Sequence, residues 1–179
     1  MTNADARFDV LDAEAAYAHL LEQMRATLLA ERRTPTLVGI HSGGAWVAER
    51  LHADLGLSSA LGYLSSAFHR DDYGSRGLPT NIRPTVLPFD VEGADLIVID
   101  DVLYTGRTAR AALNELFDHG RPAQVDLAVL VDRGGRELPI AARFVGLEHQ
   151  LTQGAELVFS HDTHGRFALR AQLVPSGSS

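Results

Sequence analysis

Three apolar runs, each followed at once by a short polar turn, limit this chain to few architectures. TLVGI (Thr36–Ile40) precedes His41-Ser42-Gly43-Gly44 and the helical pattern AWVAERLHADLG. DLIVID (95–100) precedes Asp101-Val102-Leu103-Tyr104-Thr105-Gly106-Arg107-Thr108 and the helical pattern ARAALNELFDHG. VDLAVLVD (125–132) precedes Arg133-Gly134-Gly135-Arg136. Strands that are apolar at nearly every position must be covered on both faces, so the alternation predicts an α/β fold: a parallel sheet with helices on both faces and right-handed crossovers. Ligands of such sheets sit beyond the carboxyl ends of the strands. The turns at His41, Asp101 and Arg133 are therefore expected to converge on one edge.

The flanking segments fit the same plan. Ala16, Tyr17, Leu20, Met24 and Leu28 recur at helical spacing behind Asp12, a capping residue, and Gly56 and Gly120 close the next two helical patterns. Residues 60–68 can form another strand. The stretch 69–88 mixes charges with Gly74, Gly77, Pro79, Pro84 and Pro88 and reads as a long polar loop or extended arm, a length that in compact domains tends to be functional. Weaker strands are expected around Phe144, Val158 and Phe167, and the polar tail 175–179 is expected to fray. With 179 residues, 45% of them hydrophobic, one domain over residues 1–179 has enough apolar side chains for a real core.

Composition removes whole classes of chemistry. The chain has no cysteine, so disulfides, thiolate metal sites and cysteine nucleophiles are out. A net charge of -7 repels phosphate backbones and argues against general nucleic-acid binding. MTNADARFDV lacks a basic start followed by an apolar stretch, and no run approaches the ~18 apolar residues of a membrane span. A cytoplasmic protein is expected, and a reducing compartment fits the lack of cysteine.

The chemistry concentrates in residues 96–108. Asp100 and Asp101 follow four apolar residues, and two adjacent carboxylates at a strand end repel unless something polyhydroxylated or cationic lies between them, such as a ribose diol or a hydrated magnesium ion. Thr105-Gly106-Arg107-Thr108 then opens a helix, where amides, hydroxyls and the positive end of the dipole suit a phosphate monoester. Carboxylates for a sugar diol beside a phosphate nest describe a ribose 5-phosphate site; the plain alternative is a solvated turn. Neither G-x-x-x-x-G-K-[ST] nor G-x-G-x-x-G occurs, so those nucleotide-binding loops are not supported.

LIVIDDVLYTGRT resembles the 5-phosphoribosyl 1-pyrophosphate (PRPP) signature of type I phosphoribosyltransferases. TARAALNELFDHGRPAQVDLAVLVDRGGRELPI, with Arg70-Asp71-Asp72 in the long loop, resembles the PyrR family of pyrimidine operon regulators with uracil phosphoribosyltransferase activity. The similarity runs over roughly residues 36–147. It implies the type I phosphoribosyltransferase fold, with the arm 68–88 as a mobile hood. It also implies that Asp100 and Asp101 bind the ribose hydroxyls with Mg2+ nearby, held mainly through PRPP and water. Tyr104, Thr105, Gly106, Arg107 and Thr108 would hold the 5-phosphate, and His41, Ser42, Gly43 and Gly44 the pyrophosphate, the glycines letting amides come close. Arg70, Asp71 and Asp72 would belong to the flexible loop. A homodimer or a tetramer of dimers is the family precedent.

Purine-salvage relatives typically carry an aspartate where this chain has Tyr104, which favours a pyrimidine acceptor, uracil giving uridine monophosphate (UMP). The base would rest near Val131, Asp132 and Arg133; the alternative for Arg133 is an exposed loop charge. Two departures from the family pattern matter. PyrR relatives often have Lys-Thr-Arg-Gly in place of His41-Ser42-Gly43-Gly44 and a histidine in place of Gly135, and losing positive charge there weakens both pyrophosphate and RNA contacts. A protonated His41 could assist pyrophosphate departure, whereas a lone loop histidine is more often a solvated side chain. His161-Asp162-Thr163-His164 has a metal-like look but no second cluster, and a polar loop is its simpler explanation. Trp46 is expected to pack. Besides uracil transfer, two readings stay open: an RNA-binding attenuator that keeps the pocket as a sensor, and a purine phosphoribosyltransferase.

Overall fold

A computed structural model describes residues 10–65, 83–152 and 154–173. In chain order the elements are β1 (Val10–Leu11), α1 (Ala13–Glu31), β2 (Thr36–Ile40), α2 (Gly43–Asp54), β3 (Gly62–Leu64), β4 (Asp95–Leu103), α3 (Arg107–His119), β5 (Gln124–Asp132), β6 (Phe144–Glu148), β7 (Ala155–His161) and β8 (Phe167–Leu173). The Asp12 carboxylate caps α1 by accepting the Ala15 amide at 2.9 Å. Its five apolar positions at helical spacing are all buried. No helix among the described residues is long and apolar enough to cross a membrane.

Strands β2 to β6 form one sheet in the order β3-β2-β4-β5-β6, and every neighbouring pair is parallel. Side chains alternate between its faces. Leu37, Ile97, Ile99 and Leu130 face one cluster with Leu20 and Met24 of α1 and Val47 and Leu51 of α2. Val38, Ile40, Leu96 and Val98 face the other, with Ala112 and Leu116 of α3. Helices thus cover both faces, as the apolar runs require, and each fully buried large side chain contributes about 1.5–3 kcal/mol.

Two features differ from the reading of the sequence. First, the first and the last two of the described strands build a separate antiparallel sheet, β1-β8-β7, whose Phe167 and Leu169 bury against α1 and α2. The two-residue β1 has no alternation of its own to reveal it; pairing of Val10 with Arg170 and Leu11 with Leu169 makes it a strand. Second, β4 does not end at Asp100 but runs to Leu103, because β5 continues alongside and pairs Val102 with Val131 and Leu103 with Asp132. Of the arm 68–88, residues 68–82 lie outside the described residues, including Arg70, Asp71 and Asp72. Its returning limb pairs with β3 through reciprocal 2.8 Å hydrogen bonds between Tyr63 and Val86.

Candidate active site

Because β2, β4 and β5 are parallel neighbours, the segments that follow them leave from one edge of the sheet. The turn after β2 is shorter than expected. Only His41 and Ser42 form it; Gly43 and Gly44 already belong to the first turn of α2 and are buried. Their lack of side chains is what lets the helix approach β4. A Cβ on Gly43 would lie 2.1 Å from Oδ2 of Asp101, and one on Gly44 would lie 2.4 Å from the Ile99 carbonyl oxygen and 2.8 Å from the Asp100 Cα.

The acid pair is therefore not the side-by-side pair expected from the sequence. Within an extended strand successive side chains take opposite faces. Asp101 lies against α2, and Asp100, 8% exposed, takes the α3 face. Their mutual repulsion is relieved by this separation and by backbone donors: the Asp101 amide donates to Asp100 at 2.9 Å and the Val102 amide to Asp101 at 3.0 Å. Both carboxylates still sit where β4 reaches the loop edge.

The turn from β4 into α3 is firmly held. Gly106 caps α3 at φ 93°, a left-handed conformation that favours glycine. Thr105 is buried; its hydroxyl accepts the Arg107 amide at 3.2 Å and its carbonyl accepts the amides of Glu137 and Leu138 at 2.9 and 3.0 Å. Thr108 is half-buried in the first turn of α3, and the Arg107 guanidinium pairs with Glu137 at 2.7 Å. The positive end of the α3 dipole thus faces the sheet edge on a pinned backbone.

Two arginines after β5 bind this turn to the next. The Arg133 guanidinium lies 4.0 Å from the Tyr104 ring centroid and donates to the Ala155 carbonyl at 3.0 Å, so it is a stacked, half-buried group and not an exposed loop charge. Gly135 leaves room for the ring, since a Cβ there would lie 2.4 Å from Tyr104 Cε2. Arg136 donates to both the Tyr104 carbonyl and the Asp132 carboxylate at 2.5 Å. Burial pushes the Asp132 carboxyl up, but the hydrogen bonds from Arg136 and from the Gly134 amide outweigh it and hold the group below its ordinary value. Val131 is fully buried in the core, so only its main chain can serve the edge.

His41 is not a solvated side chain. It stacks on Tyr63, with ring centroids 5.2 Å apart and planes 10° from parallel. Burial first, then the charge of Arg83, pushes its pKa down against the opposing pull of Glu49. The imidazolium form that would assist a leaving pyrophosphate is thus disfavoured. His161 and Asp162 also resolve: Asp162 accepts the amides of His164 and Arg166 at 2.8 and 2.9 Å, which makes the segment the turn between β7 and β8.

The places of Tyr63 and Glu137 at this edge, and the partners that Arg136 takes there, were not legible in the sequence. Arg136 follows Asp132 by four residues on a loop, where spacing carries no periodic meaning, and Tyr63 meets His41 only through the pairing of β3 with β2.

Comparisons with known proteins bear on this geometry. A family model described as the phosphoribosyl transferase domain matches residues 8–164, well beyond the 36–147 expected from the motifs. The bifunctional protein PyrR of Ralstonia nicotianae is 49% identical over 162 residues, covering 88% of this chain and 91% of that protein. The PyrR of Pseudomonas aeruginosa is 52% identical over 134 residues, or 72% and 79% of the two chains. Among solved structures, a hypoxanthine phosphoribosyltransferase of Trypanosoma cruzi superimposes with a TM-score of 0.64 over 93% of this chain and 97% of that one. Its 15% identity speaks for the fold alone.

Proposed function

The chain belongs to the phosphoribosyl transferase domain family and to its PyrR branch, and from that premise we propose that it is a uracil phosphoribosyltransferase, converting PRPP and uracil to UMP and pyrophosphate. The observation that carries the reading is the contact of Asp101 with Gly43, which joins the acidic end of β4 to the turn after β2. In this reading Asp100 and Asp101 take the ribose hydroxyls. Tyr104 to Thr108 cradle the 5-phosphate, and His41 to Gly44 face the pyrophosphate through backbone amides. Asp132, Arg133 and the main chain of Val131 meet the base, with Tyr104 beside them. Tyr104, where purine-salvage relatives typically carry an aspartate, supports a pyrimidine.

Among the described residues no group of three acidic or imidazole side chains converges as a metal cage. Two carboxylates at a loop edge suit a hydrated Mg2+ carried in with the substrate, held by Asp100 and Asp101 partly through water. Such an ion would supply charge neutralisation of the leaving pyrophosphate. The protein's own part is placement: the C1–O bond to pyrophosphate breaks, the C1–N bond to the base forms, and the ring nitrogen loses its proton. Holding the partners in line can contribute about 7–11 kcal/mol.

Pyrophosphate release from PRPP and Mg2+ across a panel of nucleobases tests the proposal. Uracil should be the preferred base, and Asp101→Asn should lower the rate roughly 100-fold. No uracil-dependent release, or an Asp101→Asn protein as active as the parent, sinks it.

The word bifunctional in the names of the relatives supports a second reading, RNA binding with the nucleotide pocket as sensor. Arg33, Arg107, Arg136 and Arg143 are already paired with carboxylates, which leaves less cationic surface for phosphates. Filter binding to pyrimidine-operon leader RNA, with and without UMP, decides it.

A further inference from the structure

A cavity of about 450 Å³ is lined by residues of α2 and of the hairpin β7–β8. That is within the roughly 300–1,000 Å³ range of small-molecule sites. Trp46 forms its aromatic wall, held edge-on against His161 with centroids 4.4 Å apart and tilted against Phe159 at 5.8 Å. Arg50, one turn further along α2, also lines it but is spoken for: it pairs with Glu14 at 2.8 Å through two nitrogens and stacks on Tyr17 and Phe167. The hairpin turn supplies the mouth. Asp162 holds the amides of His164 and Arg166, so both side chains are carried on a fixed backbone, and the Arg166 charge helps hold the Glu14 carboxyl below its ordinary value.

Its one lining carboxylate, Glu49, already accepts the Tyr63 hydroxyl at 3.1 Å, and with Arg50 balanced by Glu14 the guanidinium placed to meet an anion is that of Arg166. An indole wall suits a planar ring, and a guanidinium beside an imidazole suits a phosphate. We propose that this cavity is a second ligand site, distinct from the sheet edge, for an aromatic anion of mononucleotide size. The ring stacks on Trp46 and the phosphate meets Arg166 and His164. Trp46 lies one turn along α2 from Gly43 and Gly44, the residues packed on Asp101 and Asp100, so occupancy bears on the helix that shapes the proposed catalytic edge.

Trp46 is the single tryptophan of the chain, so its fluorescence reports on this cavity. The full-length protein is titrated with UMP, guanosine monophosphate, adenosine monophosphate and inorganic phosphate, in parent, Asp101→Asn, Arg166→Glu and His164→Ala forms. At least one nucleotide should quench Trp46 saturably in the parent and equally in Asp101→Asn. Arg166→Glu should weaken that binding roughly tenfold or more, the loss expected when a charged hydrogen-bond donor is removed, and His164→Ala should weaken it in the same direction. The measurement reads binding and not turnover, so it stands apart from the assignment of uracil transfer. No quenching by any nucleotide, quenching unchanged in Arg166→Glu, quenching abolished in Asp101→Asn, or inorganic phosphate acting as well as the nucleotides would each overturn the proposal.

Discussion

The Asp101 carboxylate packs so closely on Gly43 that any side chain at 43 would have to displace it, whereas the neighbouring Gly44 packs on the Ile99 carbonyl and the Asp100 backbone. The two glycines should therefore fail differently. Gly43→Ala pushes a side chain aside, so kcat/KM for PRPP should fall roughly 100-fold with little change in melting temperature. Gly44→Ala pushes on strand backbone and should cost about 1–3 kcal/mol of stability, as overpacking does. Thermal unfolding and steady-state kinetics on both variants separate the cases; equal effects would mean that Asp101 does not set the rate.

Arg133 lies over the Tyr104 ring and spans the turns after β4 and β5. A cation–π contact is worth about 0.5–2 kcal/mol, so Tyr104→Ala should raise KM for the base about tenfold. Tyr104→Phe keeps the ring and should match the parent. A phenylalanine variant as impaired as the alanine one would assign the effect to the hydroxyl.

The folded state holds the His41 pKa below its ordinary value of about 6.5. The unfolded chain therefore takes up that proton first as pH falls. The stability contributed by the neutral ring is complete above about pH 6.5 and is lost as pH drops through the lowered folded value. Replacing the group by one that does not titrate, His41→Asn, should flatten this part of the melting-temperature profile below about pH 6.5. A profile as steep as the parent's would place the titration elsewhere.

At the other edge of the sheet, Arg33 bridges Asp95 at the start of β4 and Asp126 near the start of β5, at 2.5 and 2.8 Å. Removing one partner of a buried pair costs about 3–5 kcal/mol, but Asp95 is 34% exposed, and about 2 kcal/mol is the better expectation for Arg33→Met. That corresponds to a fall of about 4–8 °C in melting temperature. KM for PRPP should not change, because the pair lies at the far end of both strands; a change in KM would show that the two edges communicate.

Much of this was readable in the chain. The bounds of β2 match the apolar run TLVGI, Asp12 caps α1, and Gly106 precedes α3, because periodicity, caps and left-handed glycines are local properties. The burial of five α1 side chains followed from their spacing alone. The apolar run stops at Asp100 whereas β4 continues to Leu103, which puts Asp100 and Asp101 on opposite faces of a strand instead of side by side at its end. Its true length depends on β5, a partner twenty or more residues away.

The amino-acid order by itself determined the succession of strands and helices, the parallel sheet they must form, and the motif that places the chain in its family. These rest on interactions within a few residues and on the need to cover apolar strands. Tertiary structure alone decided that Asp101 faces Gly43, that His41 stacks on Tyr63 and resists protonation, that Arg136 ties Asp132 to Tyr104, and that β1 joins β7 and β8 in a sheet over α1 and α2. Each is a contact between segments remote in sequence, and its strength comes from burial and geometry that exist only once the chain has closed on itself.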